Sequence, residues 1–133
     1  MTNGKELEKA RHIKAAAAML AADETAGADC ARFAAIMFER ASAEDLVACE
    51  ATDLAVFARD AFRHLMAHKA GRHHIRIGAG RASAAEPPRD VSVVEIVNDN
   101  MPFLVDSVMG ELTDRGLGIR LVLHPIVTVR RDG

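Results

Sequence analysis

The chain has 133 residues and a formal net charge of −2, room for one domain or a domain with an appendage, and enough to bury roughly two thirds of its unfolded surface. A sequence pI of about 6.3 with no Trp and no Tyr argues against nucleic-acid binding, which calls for a basic domain with interleaved aromatics. Much of the hydrophobic half is alanine, so Leu, Ile, Val, Met and five Phe must fill the core.

The first element in chain order is a helix over residues 5–22, "KELEKARHIKAAAAMLAA", which contains strong helix formers and neither Gly nor Pro. Leu7, Ile13, Leu20 and several alanines give it a weak apolar face. Its basic start and alanine run faintly imitate a secretory signal, but Glu6 and Glu8 interrupt the basic region. The expected location is therefore cytoplasmic. No apolar run approaches the roughly 20 residues of a membrane span, so no membrane is expected as a partner. "DETAGAD" breaks the helix, with Gly27 read as the stop.

A second helix is predicted over 28–40, with Cys30, Phe33, Ala34, Met37 and Ala41 on one face. Cys30 and Cys49 form neither a CxxC pair nor a disulfide framework and read as small core residues in a reducing cytosol. "SAED" at 42–45 fits a capping box with Ser42 as N-cap. From there a third helix is predicted to about residue 69, with Val47, Leu54, Phe57, Ala58, Ala61 and Leu65 as its apolar stripe and Glu50, Asp53, Arg59, Asp60 and Arg63 facing away. Residues 1–70 thus read as a three-helix bundle. His64 and His68, with His73 and His74 just beyond, lack the convergent partners of a metal site and read as solvent-facing histidines near a helix C-terminus.

At Gly71 the pattern changes. "HHIRI" alternates as a strand over 73–77, and "GAGRASAAEPPRD", 78–90, reads as a flexible loop. Its opening glycines lack the third glycine and the following helix of a phosphate-binding fingerprint. Residues 91–97 form a strand that is Val-rich on both faces, which suits a central position in a sheet. A helix over 102–115 opens on Pro102 in its first turn, buries Leu104, Val105, Val108, Met109 and Leu112, and ends at Gly116 as a left-handed C′ residue. A last strand spans 119–130, with Pro125 marking an edge or a bend. The fold class is α+β: the bundle packed on a small strand–helix–strand unit over 71–133.

Asn98, Asp99 and Asn100 sit between strand and helix, with Met101 and Pro102 following. Two readings stay open. The loop and the helix's free N–H groups could hold an amino-acid carboxylate, or the Asx side chains could simply turn the chain and cap the helix. Asp106 and Ser107 lack an oriented base, so no nucleophile is expected there.

The run "NDNMPFLVDSVMGELTDRGLGI" is similar in layout to an ACT domain, a ferredoxin-like module that often binds amino acids. An Asp-bearing loop follows a strand (Asp99), a Pro and an apolar pair open a helix (Pro102, Phe103, Leu104), and a Gly ends it before the next strand (Gly116, Ile119). Over about 91–133, "VVEIVNDNMPFLVDSV" followed by "HPIVTVRRDG" resembles the N-terminal, ACT-like region of the large bacterial NAD-specific glutamate dehydrogenases. The resemblance is loose over 28–69. Asn100 stands where that family usually carries a second Asp.

The resemblance implies that the chain is a fragment of a parent that converts L-glutamate and NAD to 2-oxoglutarate, ammonia and NADH. The fragment itself is expected to hold no catalytic site, no cofactor and no metal. Its expected effector-loop residues are Asn98, Asp99, Asn100, Met101, Pro102 and Gly116, with an amino acid as ligand. Its expected partners are the rest of the parent chain and other copies, met through sheet edges that an incomplete ACT-like sheet leaves unpaired unless the strand at 73–77 fills the gap.

Overall fold

Alanine-rich sequence favours helix without filling much volume, and the N-terminal half is built accordingly, from helices packed closely around a few large side chains. The computed structural model describes residues 4–69, 71–82, 89–99, 103–119 and 121–128. Helix α1 spans Gly4–Ala22 and α2 spans Gly27–Glu39. The turn between them is tied by Asp23, whose Oδ1 accepts from the Thr25 backbone N–H and hydroxyl at 2.9 and 2.7 Å. Gly27, read as a stop for the first helix, is instead the first residue of the second, with φ of 82°.

The core follows the predicted stripe of α2. Cys30, Phe33, Ala34, Met37 and Ala41 are all buried, and so is Phe38 on the adjoining strip. Ala16 and Leu20 of α1 meet them, whereas Leu7 stays half exposed. Lys9 fastens α1 to the end of α2, donating to the carbonyls of Glu39 and Ala41 at 2.7 and 2.6 Å, where a cation also suits the negative end of the helix.

The single helix expected over 42–69 is two: α3, Ala43–Val47, and α4, Ala51–Ala67. Ser42 does cap α3, accepting from the Asp45 backbone N–H. The chain then leaves the helix at Ala48 and re-enters through Glu50, whose ψ of 156° is extended. A break in a buried segment strands a carbonyl, which costs free energy unless another donor reaches it. His12 supplies that donor, its Nδ1–H bonding Cys49 O at 2.9 Å. Leu46, Cys49, Leu54 and Ala58 close the core from this side, and Phe33 meets Phe62 with ring centroids 5.6 Å apart. Each fully buried Leu or Phe contributes about 1.5–3 kcal/mol.

Strands β1, His74–Ala82, and β2, Arg89–Val97, pair antiparallel in one unbroken register from His74↔Val97 to Ala82↔Arg89. The strand expected over 73–77 therefore pairs beside 91–97 and runs further than the sequence suggested, without reaching a partner in 121–128. Residues 78–82, assigned there to a loop, belong to the hairpin, and 83–88 lie outside the described residues. Glycines are poor strand formers, but a Cβ at Gly80 would lie 2.7 Å from both Phe57 and Val93. The glycine that suggested a loop is there to let the strand close on α4.

Among the described residues the sheet has two strands, so β2 is paired on one side rather than central. Helix α5, Leu104–Asp114, begins two residues later than expected and has no fully buried residue. The strand expected over 119–130 forms no ladder over 121–128, yet these residues alternate between half-buried and exposed as a strand would. Leu121, Leu123 and Val127 lean on the core cluster. Residues 120 and 129–133 lie outside the described set. The structure is α+β, with no helix among the described residues long and apolar enough to cross a membrane.

Candidate functional site

Strand β2 delivers Asn98 and Asp99 to the end of the hairpin nearest the exit of α4. Gly71 waits there in a left-handed conformation with φ of 78°, a region a residue without Cβ enters at little cost. Its N–H donates to Asp99 Oδ2 at 3.1 Å. The exposed Asp99 carboxylate is thereby tied to the link between α4 and β1, and the loop after β2 is bonded to the connection that sets where the hairpin sits. Asn98 is half buried. Asn100, Met101 and Pro102, the rest of the expected effector loop, lie outside the described residues.

On the far side of that loop, Phe103 precedes α5 with φ 66° and ψ 3° and no side-chain cap. A bulky side chain in the left-handed region costs about 1–2 kcal/mol. The ring recovers little of this by burial, since it is 77% exposed. Strain kept without a packing return points to a position under another constraint. Nothing in the sequence signals this conformation; Phe is a poor candidate for it.

Gly116 does not join this group. It is the left-handed residue that ends α5, with φ of 72°. Its N–H bonds Thr113 O at 2.9 Å, and the Leu117 N–H bonds Leu112 O at 3.1 Å, which completes the helix stop. Eleven helical residues separate it from Phe103, about 16 Å of axis. Of the six expected effector residues, the described ones place Asn98 and Asp99 at the loop and Gly116 at the opposite end of the helix.

A second cluster lies between α4 and the hairpin. Of the histidines expected to face solvent, His73 does, but His64, His68 and His74 do not. His64 and Glu95 are 9% and 14% exposed in their side chains and approach to 3.2 Å between Nδ1 and Oε2, without an aligned hydrogen bond. His68 is 7% exposed and donates from Nε2 to the Arg72 carbonyl. His74 brings its ring within 6.0 Å of His64 and 5.5 Å of His68 between centroids. Burial, reinforced by the positive field of those two histidines, Arg72 and His73, holds the His74 pKa below its usual 6.5. The strand phase was the available signal: His74 shares a face with Gly78 and Gly80, the face turned to α4. Among the described residues no group of three or more His, Cys, Asp or Glu is arranged to hold a metal ion.

The two cysteines are free and buried, and desolvation raises both thiol pKa values. They are packing residues rather than nucleophiles.

Comparison with known protein families gives a match over most of the chain. Residues 33–133 fit the family described as glutamate dehydrogenase, ACT1 domain. Neither a curated protein nor a solved structure matches the chain.

Proposed function

Since the chain belongs to the glutamate dehydrogenase ACT1 domain family, we propose that it is a regulatory, non-catalytic segment of a larger enzyme that oxidises L-glutamate with NAD to 2-oxoglutarate and ammonia in the cytoplasm. The ligand of the segment is an amino acid, taken at the loop after β2. NAD belongs to the parent enzyme.

One observation carries the regulatory reading, the bond from Gly71 N–H to Asp99. An amino acid's ammonium group that engaged the Asp99 carboxylate would compete for the same oxygen atoms. Its carboxylate would meet the first N–H groups of α5, at the helix's positive end. Binding would then exchange the Gly71 contact for a ligand contact and bias how the hairpin and α5 sit on the bundle. A ligand shifts such an equilibrium only by its difference in affinity for the two arrangements, and the bond to Gly71 is a contact that differs between them.

The same bond also suits a second reading, a scaffold in which Asp99 only ties the loop. Calorimetric titration with a panel of amino acids separates the two. Saturable heat below millimolar concentration, abolished by Asp99→Ala, supports the effector site. Heat only at millimolar levels, or none, leaves the scaffold.

The partners follow from the sheet. Ile75, Ile77 and Val94 share its outer face and are 62%, 72% and 44% exposed. We propose that this face and the open edge of β2 meet the rest of the parent chain and that, in isolation, they draw copies of the chain together. A sedimentation profile that stays monomeric at high concentration would count against self-association.

A further inference from the structure

We propose that the seat of the β1–β2 hairpin on α4 is a proton-operated latch: a proton taken up by His74, whose ring is packed against His64 and His68 on α4, pushes the hairpin off the helix. This does not depend on the effector site.

The geometry sets the capacity of the junction. It brings three imidazoles and one carboxylate together at the interface of α4 with both strands. The one carboxylate, Glu95, stands 3.2 Å from the His64 ring. His74 looks instead at the other two imidazoles, from 5.5 and 6.0 Å. Arg72 and His73, at the entry to β1, add positive field. Arg76 stands opposite Glu95 in the register but is exposed. Asp99 is tied to Gly71.

Two charged or titratable groups near α4 on its other sides have partners of their own. His12 of α1 bonds Cys49 O and lies 3.9 Å from Glu8, and Asp23, before α2, lies 3.7 Å from Arg59. Beyond the charge cluster the seat rests on the close approach of Gly80 to Phe57.

The sign follows from His74. Its pKa in the seated state lies below 6.5, so the released hairpin binds the proton more readily. The stability of the seat is fully present above 6.5 and is lost as pH falls through the lowered value. Imidazole is the side chain suited to such a change near neutrality.

The test is an NMR pH titration of the 133-residue chain from about pH 7.5 to about pH 5. It follows cross-peaks between the Phe57 ring and Gly80 for the seat, and between the Phe33 and Phe62 rings for the bundle. The latch predicts loss of the first set while the second persists. Glu95→Gln moves that loss to higher pH by about one unit, and His74→Gln moves it to lower pH by a similar amount. His74→Phe keeps a ring against His68 without a charge, and gives the same downward shift if glutamine disturbs packing. Simultaneous loss of both sets, or an unchanged midpoint in His74→Phe, overturns the proposal.

Discussion

At Gly80 a single methyl group decides how closely strand and helix meet. Both neighbours of an added Cβ, at 2.7 Å, are side-chain atoms that would have to move apart. Gly80→Ala is expected to destabilise the chain by about 1–3 kcal/mol, read as a lower urea midpoint, with the largest loss of amide protection in β1. Phe103 gives the opposite expectation. Phe103→Gly removes left-handed strain and raises stability by about 1 kcal/mol, an increase in urea midpoint. If the position serves effector binding, the same variant loses calorimetric heat, which is the trade expected of strain kept for function. Asp23 is a third case. Its bonds from the Thr25 hydroxyl and N–H, with Arg59 nearby, hold its carboxyl below the usual 3.8. The stabilisation it gives is present above 3.8 and fades as pH falls through the lowered value. Asp23→Asn should therefore lower Tm at neutral pH and converge with the parent chain in strong acid.

At the scale of elements, periodicity revealed what local sequence controls. The face of α2 was legible because Cys30, Phe33, Ala34, Met37 and Ala41 recur at helical spacing and nothing else competes for them. The break between α3 and α4 was not legible. Ala48 and Glu50 carry no breaker signal, and the interruption is compensated from thirty-seven residues away by His12. His12→Ala should cost about 1 kcal/mol or somewhat more, because it leaves the buried Cys49 carbonyl unpaired; thermal or urea unfolding measures it.

The full length of the hairpin is hidden in the sequence for a related reason. Gly78 and Gly80 suggest a loop until the facing helix is known. The segment 121–128 shows the reverse, since its alternation survives in the exposures, while a ladder needs a neighbouring strand that one sequence segment cannot specify. Asp99 was legible as an Asx residue in a turn, but its partner Gly71 was not.

At the scale of the molecule, burial and exposure are unevenly shared among the described residues. The buried apolar core runs from Ala16 to Ala58, whereas Ile75, Ile77, Val94, Phe103, Leu117 and Ile126 are all exposed. Local stability follows buried apolar contacts. The hairpin and α5 should therefore lose amide protection at lower denaturant than α2 and α4, and two-probe unfolding curves should not coincide. Such a distribution suits a segment whose rigid half anchors and whose looser half responds. The central claim is that the response begins where Asp99 meets Gly71. An NMR titration of the uniformly labelled chain with amino acids tests it most directly. The account predicts saturable shifts led by the Gly71, Asn98 and Asp99 amides for at least one amino acid, with the bundle amides of α2 unmoved. Spectra that do not change, or changes that leave these three amides in place, would contradict it.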